Sequence, residues 1–347
     1  MSKFCSKPFE WFEVHPDGNV SMCCYTWLPA YIGQIGVDEG INDVFNSDIS
    51  KEIRKSILDG SFRYCDHDLC PFIQAGDLPE VEELEGNSKR IVEEQITTGL
   101  EPTFYNLCYD ESCNLSCPSC RVDKILFSKG PRYRQRKVIQ DRIIKDLFEK
   151  YHERDCTVSI TGSGDPFGSK LFRDLLFSVD GKNFPNMKIN LQTNGVMFTE
   201  KYWNKMHRIQ NNIESVLISF DAASPASYSY TRRDGNWDRL QDNMKFICQL
   251  RKDNKIKDLR CDFVVQQKNY HEMPSFVDMC LSYDFVDEIY FSQIVNWGTY
   301  SEEEFKEHAI HQEDHPEYDD FISIMQDTRL AHSKVNLGNL FSFRKKI

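Results

Sequence analysis

From residue 103 onward, short apolar stretches alternate with longer segments whose apolar residues recur at helical spacing, and few folds accept that pattern. The stretches at 103–108, 157–161, 188–192, 215–221, 260–266 and 288–294 are rich in Val, Ile, Phe or Tyr and read as strands. Between them, 137–152, 170–177, 200–209, 237–251 and 271–283 read as helices. Strand–helix alternation predicts parallel βαβ units. Six units fall short of the eight that close a barrel, so the expected fold class is α/β, a partial (β/α)6 TIM-type barrel. In such a fold, function gathers at the C-terminal ends of the strands.

The first hundred residues follow another rule. They hold five cysteines, at 5, 23, 24, 65 and 70, a Pro16-Asp17-Gly18 turn, a helical stretch near 51–58 and a second near 89–97. An acidic connector, with Glu80, Glu82, Glu83 and Glu85, separates the two stretches. A chain of 347 residues exceeds the usual single core. The expected organisation is therefore a small cysteine-rich module at 1–100, the barrel at 101–300 and a helical extension at 301–347. In the extension, His308, His311 and His315 read as solvent-facing imidazoles, and Arg344, Lys345 and Lys346 as a solvated tail.

A formal charge of −12 disfavours the phosphate attraction on which nucleic-acid binders depend and predicts repulsion from anionic membranes. No apolar run is long enough to span a bilayer, and the first residues lack the apolar stretch of a secretory signal, so a cytoplasmic location is expected. Thirteen cysteines in a reducing compartment point away from disulfides and toward metal or redox chemistry.

The densest group is Cys113-Asn-Leu-Ser-Cys117-Pro-Ser-Cys120, directly after the first strand of the barrel. Three thiolates on a four-iron cubane leave one iron without a protein ligand, the open position that catalytic metals need. Cys108, near a strand end, reads as a site-lining residue rather than a fourth ligand. A zinc site is the rival reading. The Cys-x3-Cys-x2-Cys motif resembles the signature of the radical S-adenosylmethionine (SAM) superfamily. Ser119 departs from it, because an aromatic residue usually precedes the third cysteine there. Thr161-Gly162-Ser163-Gly164-Asp165-Pro166 resembles the family's Gly-Gly-Glu-Pro stretch, with Asp165 in place of Glu. Gln192-Thr193-Asn194-Gly195 is similar to its Thr-Asn-Gly strand end. Ser219-Phe220-Asp221-Ala222, running on to Tyr228 and Arg232, resembles the stretch that contacts the SAM ribose and carboxylate. The resemblance thus implies SAM contacts at Gly164, Asp165, Asn194, Ser219, Asp221 and Arg232, with the Asp165 carboxylate receiving the SAM ammonium. Gln266 and Asn296-Trp297-Gly298 are further candidates to line the site.

Cys5, Gly18, Cys23, Cys65 and Cys70 resemble the auxiliary-cluster modules called SPASM and twitch domains, although those usually follow the barrel. That resemblance implies a fully ligated auxiliary iron–sulfur cluster on Cys5, Cys23, Cys65 and Cys70, with Cys24 spare. Structural zinc and buried packing thiols are the alternatives.

Together the resemblances imply a [4Fe-4S] cluster with an open iron site, SAM as cosubstrate, and a reductase such as flavodoxin or ferredoxin as electron donor. The expected outcome is a 5′-deoxyadenosyl radical that takes a hydrogen atom from a peptide or protein. The alternative is epimerisation, dehydration or dehydrogenation of a sugar or other small metabolite. A zinc-stabilised binding protein is the non-enzymatic reading. No residue is assigned as hydrogen-atom donor; Cys24, Cys108, Cys261 and Cys280 are unassigned thiols. The basic run with Lys129, Arg132, Arg134 and Arg136 reads as a solvated loop that could also meet a phosphate or an acidic peptide.

Overall fold

A computed structural model describes residues 3–36 and 39–344. Lys345 and Lys346 of the expected tail lie outside the described residues. The strands are β1 (Trp11–Val14), β2 (Asn19–Ser21), β3 (Gly33–Gln34), β4 (Phe104–Leu107), β5 (Cys156–Ile160), β6 (Met187–Thr193), β7 (Ile213–Ser219), β8 (Asp258–Val265), β9 (Glu288–Gln293) and β10 (Val335–Asn336). The six expected barrel strands are β4 to β9, each bonded in parallel to the next and crossed over by helices. The sheet runs in the order β10-β9-β8-β7-β6-β5-β4-β1-β2-β3 and does not close, which makes the fold a partial TIM-type barrel.

The two faces of each strand have different work. On β8 and β9, Phe263 and Phe291 pack on Phe276 of the helix Met273–Ser282, with ring centroids 4.8 and 5.8 Å apart. The alternate residues Arg260, Asp262, Tyr290 and Ser292 line the opposite, concave face, as period-two alternation requires. Cys261 and Cys280 sit fully buried between this sheet and its helix, so both thiols are packing groups.

Residues 1–100 join the same sheet. Strand β1 pairs in parallel with β4, Trp11 against Phe104 through Val14 against Leu107, and the β1–β2–β3 meander extends the barrel's edge. Arg54, fully buried on the helix Asp48–Leu58, ties the module together. It donates to the carbonyls of Pro8, Phe45 and Thr97 at 2.9–3.0 Å and stacks over the Phe45 ring.

Three expectations shift. The helix read at 137–152 starts earlier, at Pro131, because Gly130 adopts φ +90° and proline suits a first helical position; it ends in a π-helical turn at Ile144–Phe148. This draws one residue of the basic run into the fold: Arg136 is 5% exposed, bonds Glu111 at 2.5 Å and stacks over Phe127, while Lys129, Arg132 and Arg134 stay exposed. The C-terminal extension is not only helical, since β10 pairs with β9. Its histidines are half-buried rather than solvent-facing, with the His308 ring 4.5 Å from that of Tyr300. Burial pushes His311 down to about 4.

Candidate functional site

The cysteine loop leaves β4 at its C-terminal end and is held by buried polar groups rather than by regular structure. Asp110, fully buried, accepts from the Ser112 hydroxyl at 3.0 Å and the Ser169 hydroxyl at 2.5 Å. Burial raises its carboxyl, and those hydroxyls together with Arg136 counter the effect. The Arg121 backbone N–H bonds the Cys117 carbonyl, closing a turn that brings Cys117 and Cys120 to one side. Cys113, Cys117 and Cys120 all line a single cavity of about 300 Å³ at the C-terminal ends of the strands.

The next two loops complete that wall. Gly164 lines the cavity, and a Cβ there would stand 2.5 Å from the Asp110 carbonyl oxygen, so only glycine permits this approach of the two loops. Asp165 does something other than expected. Its oxygens are taken by the backbone N–H groups of Phe167, Gly168 and Asn194 and by the Thr193 hydroxyl, at 2.7–2.9 Å, and it does not line the cavity. Expected to face an ammonium, the Asp165 carboxylate here braces the loops after β5 and β6. The shorter side chain, in place of Glu, keeps the carboxylate back among those donors.

Asn194 donates to Cys113 Sγ at 3.6 Å and to Asn114 Oδ1 at 3.0 Å. Ser219 and Asp221 both line the cavity, as alternation along β7 predicts. Asp221, at φ +56°, accepts from the Val264 N–H at 2.8 Å and pairs with Arg232 Nη2 at 2.8 Å. Burial raises the Asp221 carboxyl, and Arg232 opposes that rise. Arg232 Nη1 lies 3.7 Å from Cys117 Sγ, while its Nε is buried without a partner. Gln266 is buried outside the cavity lining, whereas Trp297 lines it.

Sequence reasoning missed Arg121, Arg260, Asp262 and Tyr290, which line the same cavity. Arg260 forms a two-pronged pair with Asp262 at 2.6 and 3.0 Å. Alternation along β8 and β9 pointed to these side chains; their convergence needed the sheet's curvature.

In the module, Cys5, Cys23, Cys65 and Cys70 line one cavity whose other walls include Leu28, Phe62, Phe72 and Ile73. All are free thiols, and Cys24 stands apart with its sulfur 3.1 Å from the Thr26 hydroxyl. Burial pushes Cys5 up to about 11 and Cys65 to about 12. Cys113 likewise rises to about 12. Such thiols become thiolates when a metal supplies the compensating charge.

The donor sets fit two iron–sulfur groups: three thiols at an open cavity, and four around an apolar one. The orphaned Arg232 Nε fits a carboxylate such as that of SAM. Among the described residues, no three Cys, His, Asp or Glu stand placed to hold a single metal ion. Among the described residues, no helix is long and apolar enough to cross a membrane. A larger cleft, about 560 Å³, is lined by residues flanking the N-terminal ends of β4 and β5; there Arg154 pairs with Glu101 at 3.2 Å and Arg142 with Asp146 at 2.8 Å.

Residues 111–265 match the family model of the Radical SAM superfamily. Residues 5–71 match that of the SPASM iron–sulfur cluster-binding domain. No curated protein matches the chain. Among solved structures, the radical S-adenosylmethionine methyltransferase TsrM from Kitasatospora setae, with tryptophan substrate and the analogue aza-SAM bound, is similar at 10% identity and TM-score 0.36. The likeness covers 52% of this chain and 34% of that one, so it spans about a third of TsrM and carries no argument about the site.

Proposed function

Since the chain belongs to the radical SAM superfamily and carries an N-terminal SPASM iron–sulfur domain, we propose that it generates a carbon radical to modify a peptide or protein. When bound, the open-site cluster and SAM supply the chemistry, reductive cleavage of SAM to a 5′-deoxyadenosyl radical that takes a hydrogen atom from the substrate. Cys113, Cys117 and Cys120 would hold that cluster, and Cys5, Cys23, Cys65 and Cys70 the auxiliary one.

The chain's own groups divide the remaining tasks. Arg232, fixed by Asp221, lines the cavity and brings a guanidinium suited to a carboxylate. Gly164 gives close backbone approach, and the Ser163 and Gly164 loop is held by Thr161 Oγ1 at 2.9 and 3.0 Å. Ser219 presents a hydroxyl suited to a ribose. With Ser119 before the third cysteine, the apolar cover for an adenine falls to Val264, Ile294 and Trp297, which line the far wall.

The observation that carries the radical reading is the meeting of three loop thiols with the guanidinium-bearing Arg232 in one cavity. The peptide reading is supported by the rim. Trp297 is 65% exposed while lining the cavity, and a polypeptide crossing the mouth would cover such a side chain. The test is dithionite-dependent release of 5′-deoxyadenosine from SAM by anaerobically reconstituted protein. Cell extract from the source is then added in size fractions. Protease-sensitive stimulation in the large fraction is expected. Stimulation confined to the small, protease-resistant fraction would replace the peptide with a metabolite, and zinc without iron or deoxyadenosine would end the radical reading.

A further inference from the structure

Every thiol of the cluster loop meets an N–H donor, and two of those donors are guanidinium groups. Arg121 Nη2 lies 3.2 Å from Cys120 Sγ, and Arg232 Nη1 lies 3.7 Å from Cys117 Sγ. Cys113 Sγ receives the Leu115 backbone N–H at 3.4 Å and Asn194 Nδ2 at 3.6 Å. The two arginines differ in one respect. Arg232 is neutralised by Asp221 at 2.8 Å. Arg121 is 7% exposed, and its guanidinium bonds the carbonyls of Glu111 at 2.6 Å and Ser163 at 2.8 Å and the Cys120 sulfur, none of them a carboxylate. A buried cation without a counter-ion is costly, and the groups it faces here are the three loop sulfurs, which also dominate its electrostatic surroundings.

The N-terminal thiols are surrounded differently. Their cavity is walled by Leu28, Phe62, Phe72 and Ile73; among the described residues Lys7 is the one cation that lines it, and no arginine does.

Resting on the radical SAM reading above, we propose that Arg121 is a potential-setting residue, whose buried guanidinium raises the reduction potential of the cluster held by Cys113, Cys117 and Cys120. Reduction adds one electron to an assembly already carrying the negative charge of three thiolates, and no bond is made or broken. A fixed positive charge in hydrogen-bond contact with one thiolate stabilises the reduced form more than the oxidised form. Arg232 adds less, because Asp221 cancels its charge. The cation at the N-terminal site is Lys7, so the potential there is independent of Arg121. The arrangement brings the barrel cluster within reach of a one-electron donor without changing a ligand. Arg121 immediately follows the third cysteine, so the loop that supplies the thiolates also supplies the charge.

The test is an anaerobic redox titration followed by electron paramagnetic resonance, on the full chain without SAM. Arg121→Gln keeps a neutral polar side chain and is expected to make the barrel cluster about tenfold harder to reduce, a fall of about 59 mV for one electron. Arg121→Lys, which keeps the charge, is expected to move it by less than half as much, and the N-terminal cluster should not move in either variant. An unchanged barrel midpoint in Arg121→Gln with full iron content would overturn the proposal. A second readout needs no variant: in wild-type protein labelled with [15N]arginine, pulsed resonance of the reduced cluster should show nitrogen coupling through the N–H···S contact. Its absence overturns the proposal even if the variants fail to fold. Protein without any four-iron signal would instead sink the radical SAM reading on which the proposal stands.

Discussion

Asp165 and Cys117 are both buried at the ends of barrel strands, yet they answer to different tests. Cys117→Ala is expected to abolish deoxyadenosine release, whereas Cys65→Ala should retain it and lose substrate turnover, as measured in the dithionite assay. Asp165 holds four donors from two loops. Asp165→Asn turns one of its acceptors into a donor facing donors, and a loss of about 3 kcal/mol in denaturant unfolding is expected. Legibility at this scale was uneven. The three cysteines that meet at one cavity could be named because they stand close together in sequence. The bracing bonds of Asp165 were not legible, because an acidic residue in a glycine loop reads identically whether its oxygens face a ligand or the backbone behind it. Arg121 was not named at all, since nothing in its position separates a buried guanidinium from a solvated one.

Single elements carry the stability of the module and of the extension. The helix Asp48–Leu58 presents Arg54 to three carbonyls from three separate segments. Arg54→Ala would leave them unsatisfied at a cost of about 3 kcal/mol. Because Pro8, one of the three, lines the four-cysteine cavity, iron content should fall from about eight to about four per chain, read by metal analysis after anaerobic reconstitution. In the extension, burial holds His311 neutral down to about pH 4, below its ordinary range. The unfolded chain then binds the extra proton between about pH 6.5 and 4, so stability falls as pH drops through that window. The loss is at most about 3 kcal/mol. His311→Asn should flatten that part of the acid-unfolding curve. Helix positions were largely legible, because amphipathic periodicity is local. The early start at Pro131 was missed because the basic run 132–137 has no apolar stripe to reveal it.

At the scale of the whole molecule, one open sheet joins the module to the barrel. Strand β1 covers the edge of β4, so removing residues 1–100 would expose that edge together with the apolar residues beneath the module. The truncated barrel is expected to aggregate on expression, in contrast to the full chain, by size-exclusion chromatography. The same pairing places the four N-terminal thiols on the flank of the barrel's first strand, although in sequence they stand at the opposite end from the usual arrangement.

Alternation of strands and helices, cysteine spacing and loop motifs are short-range patterns, and they alone determined the fold class, the family and the thiols that gather at each site. Which polar groups face the cavity was decided only by tertiary structure. Burial, counter-ions and convergence depend on residues as far apart as Glu111 and Ser163, both bonded by Arg121, or Asp221 and Val264. No window along the chain contains those pairs, because the curved sheet brings them together.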